Sequence, residues 1–280
     1  MPTLDALPAA APWRSGGVAL HARRFGEGPR LVLLHGGPGL DHHVLLPLAI
    51  PLAGRFEVLL PDLPGHGRSH AAGAGLPDLD TVLERTTRWI TGLEPAAAIL
   101  VGHSLGAWLT REMLARRRIR PRAAVLLSSP VASDRGRDKG PTRAWIAARR
   151  RTRDGRDAAL AREFLEACTE DTEAAPSPLF VASLSRSRLR SPQEYVGLLG
   201  QLRRSLGAAL RTVQPGCPVL VLAGEADRVC PPEDARRLAA ATAGAVSRIL
   251  AGAGHVPFAA DADPVARAIF EFLDAAPGPG

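Results

Sequence analysis

Strand-length runs rich in apolar and branched residues recur along the chain at 18–24, 31–35, 56–61, 96–101, 123–128, 219–223 and 247–250. Helix-length segments with apolar residues at helical spacing lie between most of them, at 79–91, 105–117, 233–242 and 264–273. Near-continuous apolar strands alternating with amphipathic helices predict an α/β fold, a mostly parallel, doubly wound sheet covered on both faces. The alternation breaks between about 131 and 211, where helical patterns occur without a convincing strand. The pattern therefore predicts a core formed by residues 1–130 and 212–280, with a helical cap at 131–211 inserted into it.

Composition narrows the class. A chain of 280 residues, 46% of them apolar, is long enough for one large α/β domain with a substantial core. The formal net charge is +7, and Lys139 is the only lysine, so the excess is carried by arginine. No helix-turn-helix, finger or aromatic-basic motif accompanies it, and no nucleic-acid partner is expected. The surplus is instead local: residues 131–211 hold sixteen basic and ten acidic side chains. No apolar stretch reaches membrane-spanning length, and the first residues lack the basic start and apolar core of a signal peptide. Cys168, Cys217 and Cys230 are odd in number and lack metal-ligand spacing. The expectation is a cytoplasmic protein without disulfides and with no membrane partner.

The chemistry is concentrated in loops that follow strands. Gly102-His103-Ser104-Leu105-Gly106 matches G-x-S-x-G between a strand and a helix. A serine there occupies a strained turn with its hydroxyl above the sheet, and the flanking glycines leave room for neighbouring backbone. A hydroxyl is a weak nucleophile unless a base takes its proton. Of the eight histidines, His255 in "AGAGHVPF" is placed best, in a glycine-rich loop after the last strand. His21 reads as packing, His66 as part of a turn, and His103 as support pointing away from the site. His42 and His43, after the first glycine loop, read as solvent-exposed, with an approach to substrate as the alternative. An acid must fix the tautomer of the base. Asp227 in "VLVLAGEADRVCPP" is favoured over Glu225, which falls closer to the strand end. The chain order Ser104, Asp227, His255 follows. The oxyanion that forms during attack needs backbone donors. Leu105 N–H at the helix start supplies one, and Gly37 in His35-Gly36-Gly37-Pro38-Gly39 the other, since Pro38 has no N–H.

These segments, "HGGPG" (35–39), "PDLPGHGRS" (61–69), "GHSLG" (102–106), "GEADRVCPP" (224–232) and "GAGHVPF" (252–258), together resemble the α/β-hydrolase family over nearly the whole chain. The resemblance implies a cap inserted after the sixth core strand. It also implies Ser104 as nucleophile, His255 as general base and then acid, and Asp227 as its orienter, with no metal or organic cofactor. "GHSLG" with "GHVPF" resembles carboxylesterases and the methyl ester esterases that act on carrier-bound acyl chains; "HGGPG" resembles the proline iminopeptidases. The implied activity is cleavage of a small-molecule ester or thioester through an acyl-enzyme. The alternatives are non-hydrolytic chemistry of secondary metabolism (carbon–carbon cleavage, cyclisation or acyl transfer), an iminopeptidase-like peptidase, or a small-molecule receptor. Nine basic residues in 134–156 make Arg149, Arg150 and Arg151 candidate contacts for an acidic acyl-carrier protein, with Trp145 beside them. Trp145, Phe164, Phe180 and Tyr195 are candidates for an acyl pocket or, equally, for packing between cap and core.

Overall fold

The computed structural model describes residues 4–70, 75–131, 175–187, 192–206 and 210–276. Eight strands form one sheet: β1 (Ala11–Ser15), β2 (Val18–Phe25), β3 (Arg30–Leu34), β4 (Glu57–Pro61), β5 (Ile99–His103), β6 (Ala123–Leu127), β7 (Val219–Gly224) and β8 (Val246–Leu250). Their spatial order is β1-β2-β4-β3-β5-β6-β7-β8. The hairpin β1–β2 and the pair β2–β4 are antiparallel, and all other neighbours run parallel. The α/β, mostly parallel architecture expected from the apolar runs is the one observed.

Period-2 alternation along the parallel strands sends side chains to two buried faces. Leu31, Leu33, Val58, Leu60, Val101 and Val125 face one side, where they meet α1 (Leu46–Leu52) and α7 (Asp263–Ala275). Val32, Leu34, Leu59, Leu100 and Leu126 face the other, against α2 (Leu79–Thr91), α3 (Leu105–Ala115) and α6 (Pro232–Ala240). Helix α2 is started by Asp78, whose side chain accepts Thr81 N–H at 2.7 Å. It buries Leu79, Val82, Leu83, Thr86, Trp89 and Ile90, one stripe at i, i+3, i+4 spacing. Within the 131–211 interval the described helices are α4 (Pro178–Arg186) and α5 (Pro192–Leu206). Phe180 of α4 is fully buried in the core cluster that holds α1, so it packs rather than lining an open pocket. At the other side, Gln201 of α5 accepts Leu79 N–H at the start of α2. The candidate acyl-pocket residues Trp145 and Phe164, the Tyr195 side chain, and the arginines Arg149, Arg150 and Arg151 lie outside the described residues.

Strand order fixes where chemistry is possible. From β3 the chain moves to β4 on one side, and then returns past β3 to β5 on the other. The loops leaving the carboxyl ends of β3 and β5 therefore diverge over a crevice, the switch point at which open α/β sheets bind ligands. The first of those loops carries Gly36 and Gly37, and the second carries Ser104.

Candidate active site

Ser104 separates β5 from α3 with φ 51° and ψ −111°, a left-handed backbone rarely held by a residue with a side chain. Its N–H donates to Leu127 O of β6 at 2.9 Å, and its carbonyl accepts Trp108 N–H at 3.0 Å, so the turn is fastened on both sides. The glycine requirement is steric. A Cβ on Gly102 would lie 2.3 Å from Gly106 O, and one on Gly106 would lie 2.1 Å from Leu34 O. Gly36 is equally crowded: a Cβ there would come within 2.7 Å of His103 Nδ1 and 3.2 Å of Ser104 Cβ. The loop after β3 thus lies directly against the serine, with Gly37 (φ 139°) the next residue along.

Two loops at the same carboxyl end of the sheet, after β7 and β8 toward its edge, complete the site. His255 Nε2 lies 3.1 Å from Ser104 Oγ, and its Nδ1 lies 3.1 and 3.0 Å from the two oxygens of Asp227. With Nδ1–H donating to the carboxylate, Nε2 presents a lone pair to the serine O–H. Asp227 Oδ1 also accepts the N–H groups of Val229 and Cys230, at 2.9 and 2.7 Å, which fixes the carboxylate in its loop. Ser104, Asp227 and His255 are all buried. Glu225, the rival acid, is occupied elsewhere: its carboxylate accepts Gly252 N–H at 3.0 Å and so holds the His255 loop from outside. Gly224, at the end of β7, lets the two loops meet, since a Cβ there would lie 2.1 Å from Ala253 O.

Three histidines sit differently from the sequence expectation. His103 does not point away. Its Nε2–H donates to the His255 carbonyl at 2.9 Å, and the two rings are 5.3 Å apart. His42, expected in solvent, is buried: its Nδ1 lies 2.6 Å from Asp62 Oδ1, and its Nε2 accepts from Arg23 Nε at 3.3 Å. His43 is half-buried, with its ring nitrogen 3.0 Å from Asp41 Oδ1. A charged group in an apolar run of loops is stable inside only if paired, and these residues pair with one another. Burial raises the Asp62 carboxyl, but the hydrogen bonds it accepts from His42 and from Arg68 N–H outweigh it, holding Asp62 below the usual carboxylate range. Asp62 also accepts Arg68 N–H at 2.7 Å, so this network ties the loop after β3 to the loop after β4. Nothing in the local sequence around "LDHH" announced it; the signal was the aspartate in "PDLPGHGRS", twenty residues on. His66 does shape a turn, with its Nδ1 3.0 Å from Pro64 O.

Burial also governs protonation. Desolvation, followed by the nearby charge of His255, pulls His103 down to about 3, and desolvation lowers His35 as well. His35 accepts Leu63 N–H at Nε2 and faces Gly36 O through Nδ1 at 2.7 Å, so both of its nitrogens are used by the neutral ring. In the unfolded chain a histidine takes up its proton near pH 6.5. Between that pH and about 3 the unfolded state binds a proton that His103 in the folded state does not, so stability rises with pH in that window and falls on acidification. The loss is about 1.4 kcal/mol per pH unit for each such histidine. A melting-temperature series from pH 7 to pH 5 should therefore fall, and His103→Asn should make the fall shallower by about one proton's worth of slope. An unchanged slope would mean that His103 is not a buried neutral group.

Residues 31–268 match the family model described as the alpha/beta hydrolase family. A relative named pimeloyl-[acyl-carrier protein] methyl ester esterase from Xanthomonas campestris pv. campestris (strain B100) is 32% identical over 274 residues, covering 92% of this chain and 100% of its own. A relative of the same name from Chromobacterium violaceum is 31% identical over 259 residues, covering 91% and 98%. Among solved structures, the enol-lactonase from Burkholderia xenovorans LB400 superimposes with a TM-score of 0.70 at 26% identity, covering 94% of this chain and all of that one.

Proposed function

The chain belongs to the alpha/beta hydrolase family, and from that premise we propose that it hydrolyses a carboxylic ester or thioester through an acyl-enzyme on Ser104. The observation that carries this reading is the 3.1 Å separation of Ser104 Oγ and His255 Nε2, with Asp227 on the far nitrogen. His255 takes the serine proton as Oγ attacks the carbonyl carbon, and Asp227 stabilises the imidazolium that results. The carbonyl oxygen, now negative, is held by the N–H groups of Gly37 and Leu105; each such donor is worth about 100- to 1000-fold in rate. His255 then gives its proton to the departing alcohol or thiol. Water attacks the acyl-enzyme with the same base, and the acid is released.

For substrate class, the relatives' named activity on a carrier-bound methyl ester is the guide. The basic excess of residues 131–211, sixteen against ten, suits an acidic carrier protein, with Arg149, Arg150 and Arg151 as its candidate contacts. A panel tests this: a methyl ester of an acyl chain on acyl-carrier protein, p-nitrophenyl butyrate, and an aminoacyl p-nitroanilide, each run in ¹⁸O-water. The expected result is release of methanol from the first and of p-nitrophenol from the second, with solvent oxygen in the acid product. Turnover without solvent oxygen would indicate non-hydrolytic chemistry, and preference for the anilide would indicate a peptidase.

A further inference from the structure

The loop after β7 folds so tightly that Cys230, three residues past Asp227, returns to the catalytic carboxylate, its N–H donating to Oδ1 at 2.7 Å. One ligand atom from each of Asp227, Cys230 and His255 lies within 4.8 Å of the others, and all three residues are buried. We propose that these three side chains form a site for a thiophilic divalent cation of the zinc type, and that filling it switches the enzyme off. The inference rests on the reading of His255 as general base.

Donor set and spacing favour such an ion. A tetrahedral zinc has Zn–S near 2.3 Å and Zn–N or Zn–O near 2.0–2.1 Å, which sets its ligand atoms roughly 3.3–3.6 Å apart. Asp227 Oδ2 and His255 Nδ1, at 3.0 Å, are already near that separation, and the Cys230 sulfur belongs to the same cluster, within 4.8 Å of a ligand atom of each. A carboxylate and a thiolate together neutralise the dication, as a buried ion requires, and a water molecule takes the fourth position. Thiolate and imidazole select zinc and its neighbours over magnesium or calcium. The other described cluster with metal-ligating groups, Asp41, His42 and His43, is a poor rival. His42 there lies against the Arg23 guanidinium, which repels a cation.

Inhibition follows from proton bookkeeping on one ring. Without metal, the single imidazole proton sits on Nδ1 and Nε2 has a lone pair for Ser104. The cation takes the Nδ1 lone pair, so the ring proton moves to Nε2, while the Cys230 thiol loses its proton to solvent. Nothing is oxidised or reduced. Nε2–H can then only donate to Ser104 Oγ. It cannot accept the serine proton, and attack stops.

The test uses the full chain, freed of metal by chelator and assayed on p-nitrophenyl butyrate. Zinc should inhibit it and chelator should restore it. Cys230→Ser, read as the ratio of its own rates with and without zinc, should lose sensitivity to zinc by about tenfold or more, through removal of the soft ligand; Cys230→Ala provides the same comparison if the serine variant fails to fold. Cobalt(II) added to the metal-free protein should give a thiolate charge-transfer band in the near ultraviolet that is absent from Cys230→Ser. Ser104→Ala should still show that band, because Ser104 is not a ligand. Absence of both inhibition and band would overturn the site while leaving the hydrolase reading intact. A band without inhibition, or zinc inhibition undiminished in Cys230→Ser, would overturn the switch. Failure of the untreated wild-type protein to turn over any ester would instead strike at the hydrolase reading.

Discussion

Ser104→Ala is expected to reduce kcat for p-nitrophenyl butyrate by at least about 10⁴-fold, with KM little changed. The reasoning is geometric. The hydroxyl 3.1 Å from His255 Nε2 is the group positioned to pass its proton to that ring. Removing it leaves the proposed oxyanion donors, which by themselves support only a small residual rate over water. Covalent labelling by a fluorophosphonate, read by mass spectrometry on the peptide containing residue 104, should vanish in the same variant. Labelling that persists at another serine, or turnover that survives, would move the nucleophile elsewhere.

Gly106→Ala should lower the melting temperature by about 6 °C or more, in line with a loss of about 3 kcal/mol for steric conflict in a packed interior. The new methyl group would be driven to within 2.1 Å of Leu34 O. That partner is backbone at the end of a central strand and cannot swing aside as a flexible side chain would. Relief requires pushing α3 away from β3, and β3 leads directly into the Gly36–Gly37 loop. Activity should therefore fall along with stability. Gly197→Ala serves as the control, since nothing lies within 4 Å of a Cβ there; it should melt no lower than the parent. Equal melting of all three proteins would mean that the elbow is looser than its geometry indicates.

The central sheet was legible because parallel strands buried on both faces have no polar side, and five such runs stand out from the intervening segments. Other elements were not. Strand β1 (Ala11–Ser15) is an edge strand with mostly exposed side chains, so it lacks the apolar signature; pairing with β2 and the bond from Trp89 Nε1 to Trp13 O define it. Helix α1 (Leu46–Leu52) carries Pro47 in its first turn and Pro51 in its last, which disguises it. The elbow glycines were legible because the turn leaves no other residue type. Asp227 was preferred to Glu225 on loop distance, and the two carboxylates do take separate partners. The burial of His42 was hidden because it depends on Asp62 and Arg23, residues brought in by two other strands. A polar side chain's environment is set by such distant partners, and local pattern says little about it.

The bond from His103 to the carbonyl of residue 255 joins the immediate neighbour of one reactive side chain to the main chain of another, across 152 positions of sequence. It follows that residue 103 and the segment 252–258 are free to change only as a matched pair. A mutagenesis library that varies one and freezes the other will return few active clones, whereas randomising both together should recover compensated solutions. In transplanting this centre onto a sister scaffold, those two stretches have to travel as one piece.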